Sequence, residues 1–336
     1  MSAPIPARPV NSRLLSVAPM MAWTDRHCRY FHRRLAPPAL LHTEMIVARA
    51  IVYGRVERLL AHDPSEQPLV LQLGGSDPEE LHQAARLAVP FGFAGIDLNV
   101  GCPSPRASGG GFGACLMRDP GRVAECVRAL IEAVPPGTEV SLKCRLGVDE
   151  QDTERDLDRF VSAIAGAGCR VLTVHARKAL LGGLDPAANR KVPPLDYERV
   201  FRLKASFPKL TIVLNGGLNR REQVEAALRH VDGVMIGRAA YQRPWWFSRL
   251  SAALHPWIPH PQDRISLLRS MRTYVEEQLE RGERLSEMVR PWFGLFQAEP
   301  GGRRFRRLLS EGARKTTAGW ETVERALEAL TLPIAA

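Results

Sequence analysis

The fold is decided by three short apolar runs, Val171–His175 (Val-Leu-Thr-Val-His), Thr211–Asn215 (Thr-Ile-Val-Leu-Asn) and Gly233–Gly237 (Gly-Val-Met-Ile-Gly). Runs of this length, rich in Val and Ile, predict buried strands of a parallel sheet. Longer stretches between them have the apolar spacing of amphipathic helices. The same alternation extends back to about residue 14, and it predicts further strands at Leu15–Met20, Leu40–Thr43, Leu69–Leu73, Gly95–Asn99 and Val140–Arg145.

Strand–helix alternation repeated eight times over some 230 residues predicts an α/β fold of the (β/α)8 TIM-barrel class. Two helices carry start signals: Pro78–Phe91 follows Asp77, and Pro120–Val134 follows Asp119. An open doubly wound sheet is the alternative. It is disfavoured because no GxGxxG motif follows the first predicted strand.

Strand patterns stop after Arg243-Pro244, and residues 255–261 are proline-rich, as in a linker. Beyond the linker only helical patterns occur, at Ile265–Glu280, Ser286–Phe296, Arg303–Thr317 and Glu321–Leu330. We therefore predict a barrel domain over residues 1–250 and a small all-helical C-terminal domain over residues 258–336.

Charge and composition restrict the possible partners. The 336-residue chain has a net charge of +10 and a pI near 9.7, which favours a polyanion. Arg303, Arg304, Arg306 and Arg307 place four guanidinium groups around Phe305.

No apolar run is long enough to span a membrane, the N-terminus lacks the pattern of a secretory signal, and the six cysteines form no CxxC pair. We expect a cytoplasmic monomer without a metal site.

The active site of such a barrel lies at the carboxyl ends of its strands. Glycines and a fixed charge occur at two neighbouring strand ends, Asn215-Gly216-Gly217 and Gly237-Arg238, where these barrels bind phosphate. The other polar or reactive residues at strand ends are Met20, Gln72, Asn99, Cys102, Lys143, Arg145 and His175.

Lys143 and Cys102 each allow two chemical roles. A lysine inside the barrel mouth can stabilise the negative charge of a reduced flavin, or it can form a Schiff base with a carbonyl. Cys102 follows the fourth strand in a glycine-rich loop, where a thiol can act as a nucleophile or as a general acid. Spacing alone does not choose between these roles.

Six motifs lie at or near the predicted strand ends: Ala18-Pro19-Met20, Leu98-Asn99-Val100-Gly101-Cys102-Pro103, Gly113–Met117, Val174–Lys178, Asn215-Gly216-Gly217 and Asp232–Arg238. Taken together, these motifs resemble those of the tRNA-dihydrouridine synthases, over nearly the whole chain. Lys178, Asn189-Arg190 and Pro193–Tyr197 are similar to the A subfamily.

The resemblance implies reduction of uridine to 5,6-dihydrouridine in the D-loop of tRNA, at positions 20 and 20a. Hydride would pass from reduced FMN to C6, a proton would pass from Cys102 to C5, and NADPH would be the electron source. It implies tRNA or substrate contacts from Asn99, Arg145, Asn189, Arg190, Arg304 and Arg307. It implies FMN contacts from Ala18, Pro19, Met20, Gln72, Lys143, His175, Asn215, Gly216, Gly217, Gly237 and Arg238.

Two other functions compete with this interpretation. An FMN-dependent oxidoreductase of a free pyrimidine shares the phosphate site, but it leaves the basic helical segment unexplained. A non-catalytic RNA-binding protein explains the charge, but it gives Lys143, His175 and the glycine-rich turns no role.

Overall fold

The computed structural model describes residues 13–331, which divide into two compact units. The first contains residues 13–18 together with Pro38–Ala61 and Gln67–Ile236. The second contains Pro19–Pro37, His62–Glu66 and residues 237–331.

All strands of the described residues lie in the first unit and form one parallel sheet. Their bounds are β1 Leu15–Val17, β2 Leu41–His42, β3 Ile46–Val47, β4 Leu69–Gly74, β5 Gly95–Val100, β6 Glu139–Arg145, β7 Val171–His175, β8 Thr211–Asn215 and β9 Gly233–Ile236.

The sheet closes on itself. Its strand order is β1-β9-β8-β7-β6-β5-β4-β2, and β3 adds a short second pairing along β4. A parallel bridge between Ser16 and Leu40 joins the two ends of this order, with the Val17 N–H donating to the Leu40 carbonyl at 2.9 Å. A closed parallel sheet with helices between its strands is a (β/α)8 barrel, as the sequence predicts.

The helices of the first unit follow the start signals in the sequence. Asp77 accepts hydrogen bonds from the N–H groups of Glu79 and Glu80, and Asp119 accepts one from Arg122, so both predicted N-caps are confirmed. The helices are α2 Ala48–Tyr53, α3 Val56–Leu60, α4 Pro78–Ala88, α5 Pro105–Gly109, α6 Pro120–Ala133, α7 Arg155–Gly166, α8 Tyr197–Ser206 and α9 Arg221–Ala227.

The second unit is helical. Its helices are α1 Arg26–Leu35, α10 Arg238–Gln242, α11 Pro244–Leu254, α12 Arg264–Arg269, α13 Arg272–Glu280, α14 Leu285–Met288, α15 Gly302–Gly312 and α16 Trp320–Thr331. The chain divides at residue 237, so α11 falls in this unit and the predicted barrel limit at residue 250 does not coincide with the division.

Several elements are shorter than predicted, for local reasons. The first strand ends at Val17 because Pro19 has no N–H to continue the ladder. The predicted helix Ile265–Glu280 is broken at Ser270, whose hydroxyl donates to the Leu267 carbonyl and competes with the helical backbone bonds. The predicted helix Ser286–Phe296 is divided into α14, which ends at Met288, and a 3-10 turn at Arg290–Trp292, because Pro291 has no N–H to continue an α-helix.

Candidate active site

Register within the sheet brings the predicted strand-end residues of the first unit side by side. Asn99 on β5 is paired with Lys143 on β6, while Arg145 is paired with His175 on β7, and His175 with Asn215 on β8. Because the strands are parallel, these side chains meet at the carboxyl end of the barrel.

A buried chain of hydrogen bonds crosses strands β4, β5 and β6. The Gln72 amide donates to Asp97 Oδ2 at 2.7 Å, and the Ser141 hydroxyl donates to Asp97 Oδ1 at 2.8 Å. The Asn99 amide nitrogen then donates to Gln72 Oε1 at 2.9 Å. Burial raises the pKa of Asp97, and the bonds from Gln72 and Ser141 oppose that rise. The carboxylate therefore fixes which way the Gln72 amide faces, and Gln72 fixes the Asn99 amide.

The sequence analysis did not identify Asp97 as a site residue, although the sequence contains a signal for it. It lies two residues before Asn99 on the same strand, so both side chains are on one face. A charged residue at that spacing inside an apolar strand indicates a polar barrel interior.

The orientation of Asn99 holds the loop that carries Cys102. Asn99 Oδ1 accepts hydrogen bonds from the N–H groups of Gly101 at 3.1 Å and Cys102 at 3.0 Å. The Cys102 thiol donates to the Ser104 hydroxyl at 3.3 Å. Gly113 has φ +79°, and a Cβ there would lie 2.6 Å from the Cys102 carbonyl oxygen. This glycine lets the following turn pack against the cysteine backbone.

Cys102 differs from most other thiols of the chain in its surroundings. Cys28, Cys126, Cys144 and Cys169 are buried. Burial raises the pKa of Cys144 to about 12 and those of Cys126 and Cys169 to about 11. Cys102 and Cys115 are partly exposed, but the Cys115 thiol bonds only to the Phe112 carbonyl, at 3.2 Å. Cys102 is therefore the partly exposed thiol next to the polar strand ends.

Lys143 places a positive charge next to this network. Burial is the main cause that lowers its pKa to about 8, followed by the charge of Arg145, while Asp97 acts in the opposite direction. Among residues 13–331 no carboxylate forms an ion pair with Lys143. The residue as a whole is half-buried, at the carboxyl end of β6.

Arg145 is buried, and it donates to three main-chain carbonyls. Its Nε–H bonds Gly101 at 3.1 Å, and its Nη1 group bonds Lys178 at 3.2 Å and Asn189 at 3.0 Å. Burial lowers its pKa to about 10, which leaves the group charged at neutral pH. The family resemblance predicts Arg145 as a contact of the base or flavin. These bonds show instead that much of its guanidinium group holds main-chain loops together.

Asn189 and Arg190 occupy contrasting positions in the segment after β7. The Asn189 side chain is 0% exposed and bonds to the backbone of residues 180–185, so it is not accessible to RNA in this arrangement. Arg190 is exposed. Of these two adjacent residues predicted as RNA contacts, only Arg190 has a side chain exposed to a partner in this arrangement.

The turn after β8 takes a backbone conformation that requires its two glycines. Gly216 and Gly217 have φ of +115° and +69°, and a Cβ at Gly216 would lie 2.6 Å from His175 Cδ2. Asn215 donates to the Met235 carbonyl at 2.8 Å, and the Tyr197 hydroxyl donates to the Gly216 carbonyl at 2.6 Å. Bonds to these flanking groups hold the turn in a conformation that only glycines adopt freely.

The other predicted cofactor residues lie near the division of the chain. Ala18 belongs to the first unit, where its N–H donates to the Ile236 carbonyl at 2.9 Å. The remaining ones, Pro19, Met20, Gly237 and Arg238, belong to the second unit.

In the second unit, α15 presents the arginine cluster to solvent. Phe305 and Leu309 are fully buried on one face of the helix. The Phe305 ring packs edge-on against the Phe296 ring, with 4.6 Å between the ring centroids. Within the described part of the chain none of the cluster arginines has an ion pair, and all are exposed: Arg303, Arg304, Arg306 and Arg307. Four unpaired cations on one short helix are suited to a polyanion.

Residues 13–331 contain neither a metal-binding cluster nor a membrane-spanning helix. No group of three or more His, Cys, Asp or Glu side chains is arranged to hold a metal ion. None of the helices has the length and apolar character needed to cross a membrane.

The closed barrel places the Cys102 thiol and the Lys143 and Arg145 cations at the carboxyl ends of its strands, where (β/α)8-barrel enzymes have their active sites. The family model described as "Dihydrouridine synthase (Dus)" matches residues 16–331, so the chain belongs to the dihydrouridine synthase family.

Curated relatives cover almost the whole chain. The tRNA-dihydrouridine(20/20a) synthase of Xanthomonas axonopodis pv. citri (strain 306) is 54% identical over 94% of this chain and 93% of its own length. The protein of the same name from Vibrio cholerae serotype O1 is 47% identical over 94% of this chain and 96% of its own. An old yellow enzyme homologue from Zymomonas mobilis superposes with a TM-score of 0.52 at 13% identity, covering 76% of this chain and 91% of that one. That likeness supports the barrel fold alone.

Proposed function

We propose that the protein reduces uridine to 5,6-dihydrouridine in the D-loop of tRNA, at positions 20 and 20a. Family membership and the names of the relatives support this activity and its positions. The observation that carries the proposal is the Cys102 thiol on a loop fixed by Asn99, with Lys143 next to Asn99 in the sheet.

The residues present fit FMN as the cofactor. The absence of a Cβ at Gly216 lets the turn after β8 pack directly against the His175 ring, and Lys143 supplies a cation for the charge of a reduced flavin. The Thr173 hydroxyl, on the strand next to Lys143, is buried without a hydrogen-bond partner among the described residues. A polar atom of a ligand can satisfy such a group.

We assign the cofactor and proton-transfer roles as follows. Lys143 and His175 would hold FMN at the strand ends, and the turn from Asn215 to Gly217 would bind its phosphate. The chemistry that FMN supplies when bound is reduction of the uracil ring at C6. Cys102 would then donate the proton at C5, with its backbone held by Asn99. Ala18, Pro19, Met20, Gln72, Gly237 and Arg238 remain proposed cofactor contacts.

The electron donor and the state of the protein are finer parts of the proposal. NADPH is proposed from the family resemblance. The monomeric state, the cytoplasmic location and the assignment of residues 258–336 to tRNA binding stay predictions. The free-pyrimidine alternative is disfavoured because it gives the exposed arginines of α15 no role.

Replacing Gly216 by Ala should lower the flavin content of the purified protein. Its φ of +115° is strained for alanine, and the new Cβ would lie 2.6 Å from His175 Cδ2. Flavin per protein is measured from the absorption spectrum. Gly166→Ala is the control: no atom lies within 4 Å of that Cβ, so the flavin content should not change. Full flavin occupancy in Gly216→Ala would show that the cofactor does not use this turn.

Replacing Arg304 and Arg307 together by Ala should weaken tRNA binding and flatten its salt dependence. Each lost phosphate contact should reduce the slope of log K against log salt by about 0.7–0.9. Filter binding at several salt concentrations measures this slope.

The charge-matched control for this pair removes two exposed arginines from the other unit, Arg86 on α4 and Arg128 on α6. It should change the slope less than the α15 pair does. Equal effects of the two pairs would mean that only net charge matters.

A further inference from the structure

Asn189 is placed to organise the active site rather than to touch RNA. We propose that Asn189 is a positioning residue, which folds the segment after β7 onto Arg145 and, through Arg145, steadies the loop of Cys102. The inference deepens the proposed function, and its readouts rest on reduction of tRNA by this protein. We call the connection from Asn189 through Arg145 to Gly101 the loop brace.

The first link of the loop brace is the Asn189 amide. Its Oδ1 accepts the Leu180 N–H at 2.8 Å. Its Nδ2 donates to the carbonyls of Leu180 at 2.8 Å, Leu184 at 3.1 Å and Asp185 at 3.3 Å. Both ends of the amide are used, and the side chain is completely buried. Direct recognition of RNA would require the amide to leave all of these partners.

The second link is the guanidinium of Arg145, and it begins at the Asn189 backbone. The Asn189 carbonyl accepts from Arg145 Nη1 at 3.0 Å, and the Lys178 carbonyl accepts from the same nitrogen at 3.2 Å. Arg145 Nε donates to the Gly101 carbonyl at 3.1 Å. The guanidinium group is planar and rigid. The positions of the Lys178 and Asn189 carbonyls at Nη1 therefore restrict the position of the Gly101 carbonyl at Nε.

The loop brace acts on the residue next to the thiol. Gly101 immediately precedes Cys102, and its N–H is already held by Asn99 Oδ1. The Gly101–Cys102 peptide is fixed at both of its polar groups: Asn99 Oδ1 accepts its N–H, which belongs to Cys102, at 3.0 Å, and Arg145 donates to its carbonyl, which belongs to Gly101. A reacting group misplaced by about 1 Å can lose on the order of 100-fold in rate.

Neighbouring contacts define what the loop brace adds. Ala179 N–H donates to the Gly147 carbonyl at 2.9 Å, and Lys178 Nζ donates to the Gln151 carbonyl at 2.7 Å, independently of Asn189. Residues 178 and 179 should therefore stay in place without Asn189. The Leu181 N–H also donates to Asp149 Oδ1 at 2.7 Å. The Asn189 amide adds the bonds to Leu180, Leu184 and Asp185, and without them the main-chain carbonyl of Asn189, one of the three that accept from Arg145, is held less firmly.

The test compares Asn189→Ala with Arg190→Ala, its exposed neighbour. Enzyme whose flavin has been reduced beforehand is mixed with saturating tRNA, and flavin reoxidation gives the rate; filter binding gives the affinity. Asn189→Ala should slow the rate at saturation by about tenfold, with tRNA affinity and flavin content preserved. Arg190→Ala should weaken tRNA binding by about two- to tenfold, with the rate at saturation preserved.

A double-mutant cycle separates positioning from loss of stability. Arg145→Lys retains the charge but not the planar fork, so it should slow the same step. Because Asn189 acts through Arg145, the double variant should be about as slow as Arg145→Lys alone; additive losses would contradict a common path. If Asn189→Ala does not fold, Arg145→Lys is judged alone, and an unchanged rate at saturation overturns the proposal.

Other outcomes would also overturn the proposal. Asn189→Ala with weakened tRNA binding and a normal rate would make Asn189 an RNA contact, as the family resemblance implies. A wild-type rate and affinity would show that the loop brace has no role. The proton-donor role of Cys102 is tested separately, because the comparison of Asn189→Ala with Arg190→Ala does not change Cys102. A Cys102 variant that keeps its activity would contradict that role without affecting the test of Asn189.

Discussion

Cys102→Ala should retain FMN and the fold, and it should reduce uridine about 10²–10⁴-fold more slowly than the parent protein. A general acid contributes a factor of this size because the proton must arrive as the ring is reduced. The other partly exposed thiol, Cys115, bonds to a backbone carbonyl outside the polar network and cannot replace it. Dihydrouridine formed per enzyme in a single turnover of pre-reduced protein measures the loss.

Two controls test whether that loss of rate is specific to the Cys102 thiol and to the step that reduces uracil. Cys115→Ala removes a thiol of similar exposure and should affect only stability. Reduction of the flavin by NADPH, the proposed electron donor, should proceed normally in Cys102→Ala, because the proton is needed only when uracil is reduced. An unchanged rate of tRNA turnover in this variant would falsify the assignment of Cys102.

The barrel could be predicted from the sequence because its strands are marked locally. The interior strands Val171–His175 and Thr211–Asn215 have the predicted bounds, since a parallel strand covered on both faces must be apolar throughout. The helix starts at Asp77 and Asp119 are also local, because an N-cap depends on residues two or three positions away.

The division of the chain could not be predicted in the same way. Helix α1 lies in the second unit because of partners that are distant in sequence: the Arg29 guanidinium bonds Glu66 Oε2 at 2.5 Å, and the His27 ring is 2.7 Å from the Tyr274 hydroxyl. No periodicity in residues 26–35 indicates these contacts. Prolines at 256–261 indicated a linker, but the contacts of the helices before it decide which unit they join.

Candidate residues were found more readily than their roles. The rule that places active sites at strand ends finds Asn99, Lys143 and Arg145 directly. The rule does not show that Asn99 orients the Cys102 loop, or that Arg145 holds three carbonyls. Those roles depend on which donor faces which acceptor, and that requires coordinates.

Loss of this gene should remove dihydrouridine from positions 20 and 20a of tRNA and leave positions 16 and 17 unaffected. Both the names of the relatives and the segment from Asn189 to Tyr197 support these positions. The target base must leave the tRNA stack to enter the barrel mouth, so the way the tRNA lies on the protein decides which uridine arrives. The segment is suited to this selection, because Arg190 is exposed while Tyr197 bonds to the turn proposed to bind phosphate, at 2.6 Å.

Nucleoside mapping of tRNA from a deletion strain tests the positions directly. The wild-type gene should restore both modifications, and the Gly166→Ala gene should do so as well, because that change lies on an exposed helix end with no neighbour for the new Cβ. The Cys102→Ala gene should restore little, which links the positions to this active site. Loss confined to 16 or 17 would contradict the assigned positions while leaving uridine reduction in place. Unchanged dihydrouridine at every position would contradict the proposed activity itself.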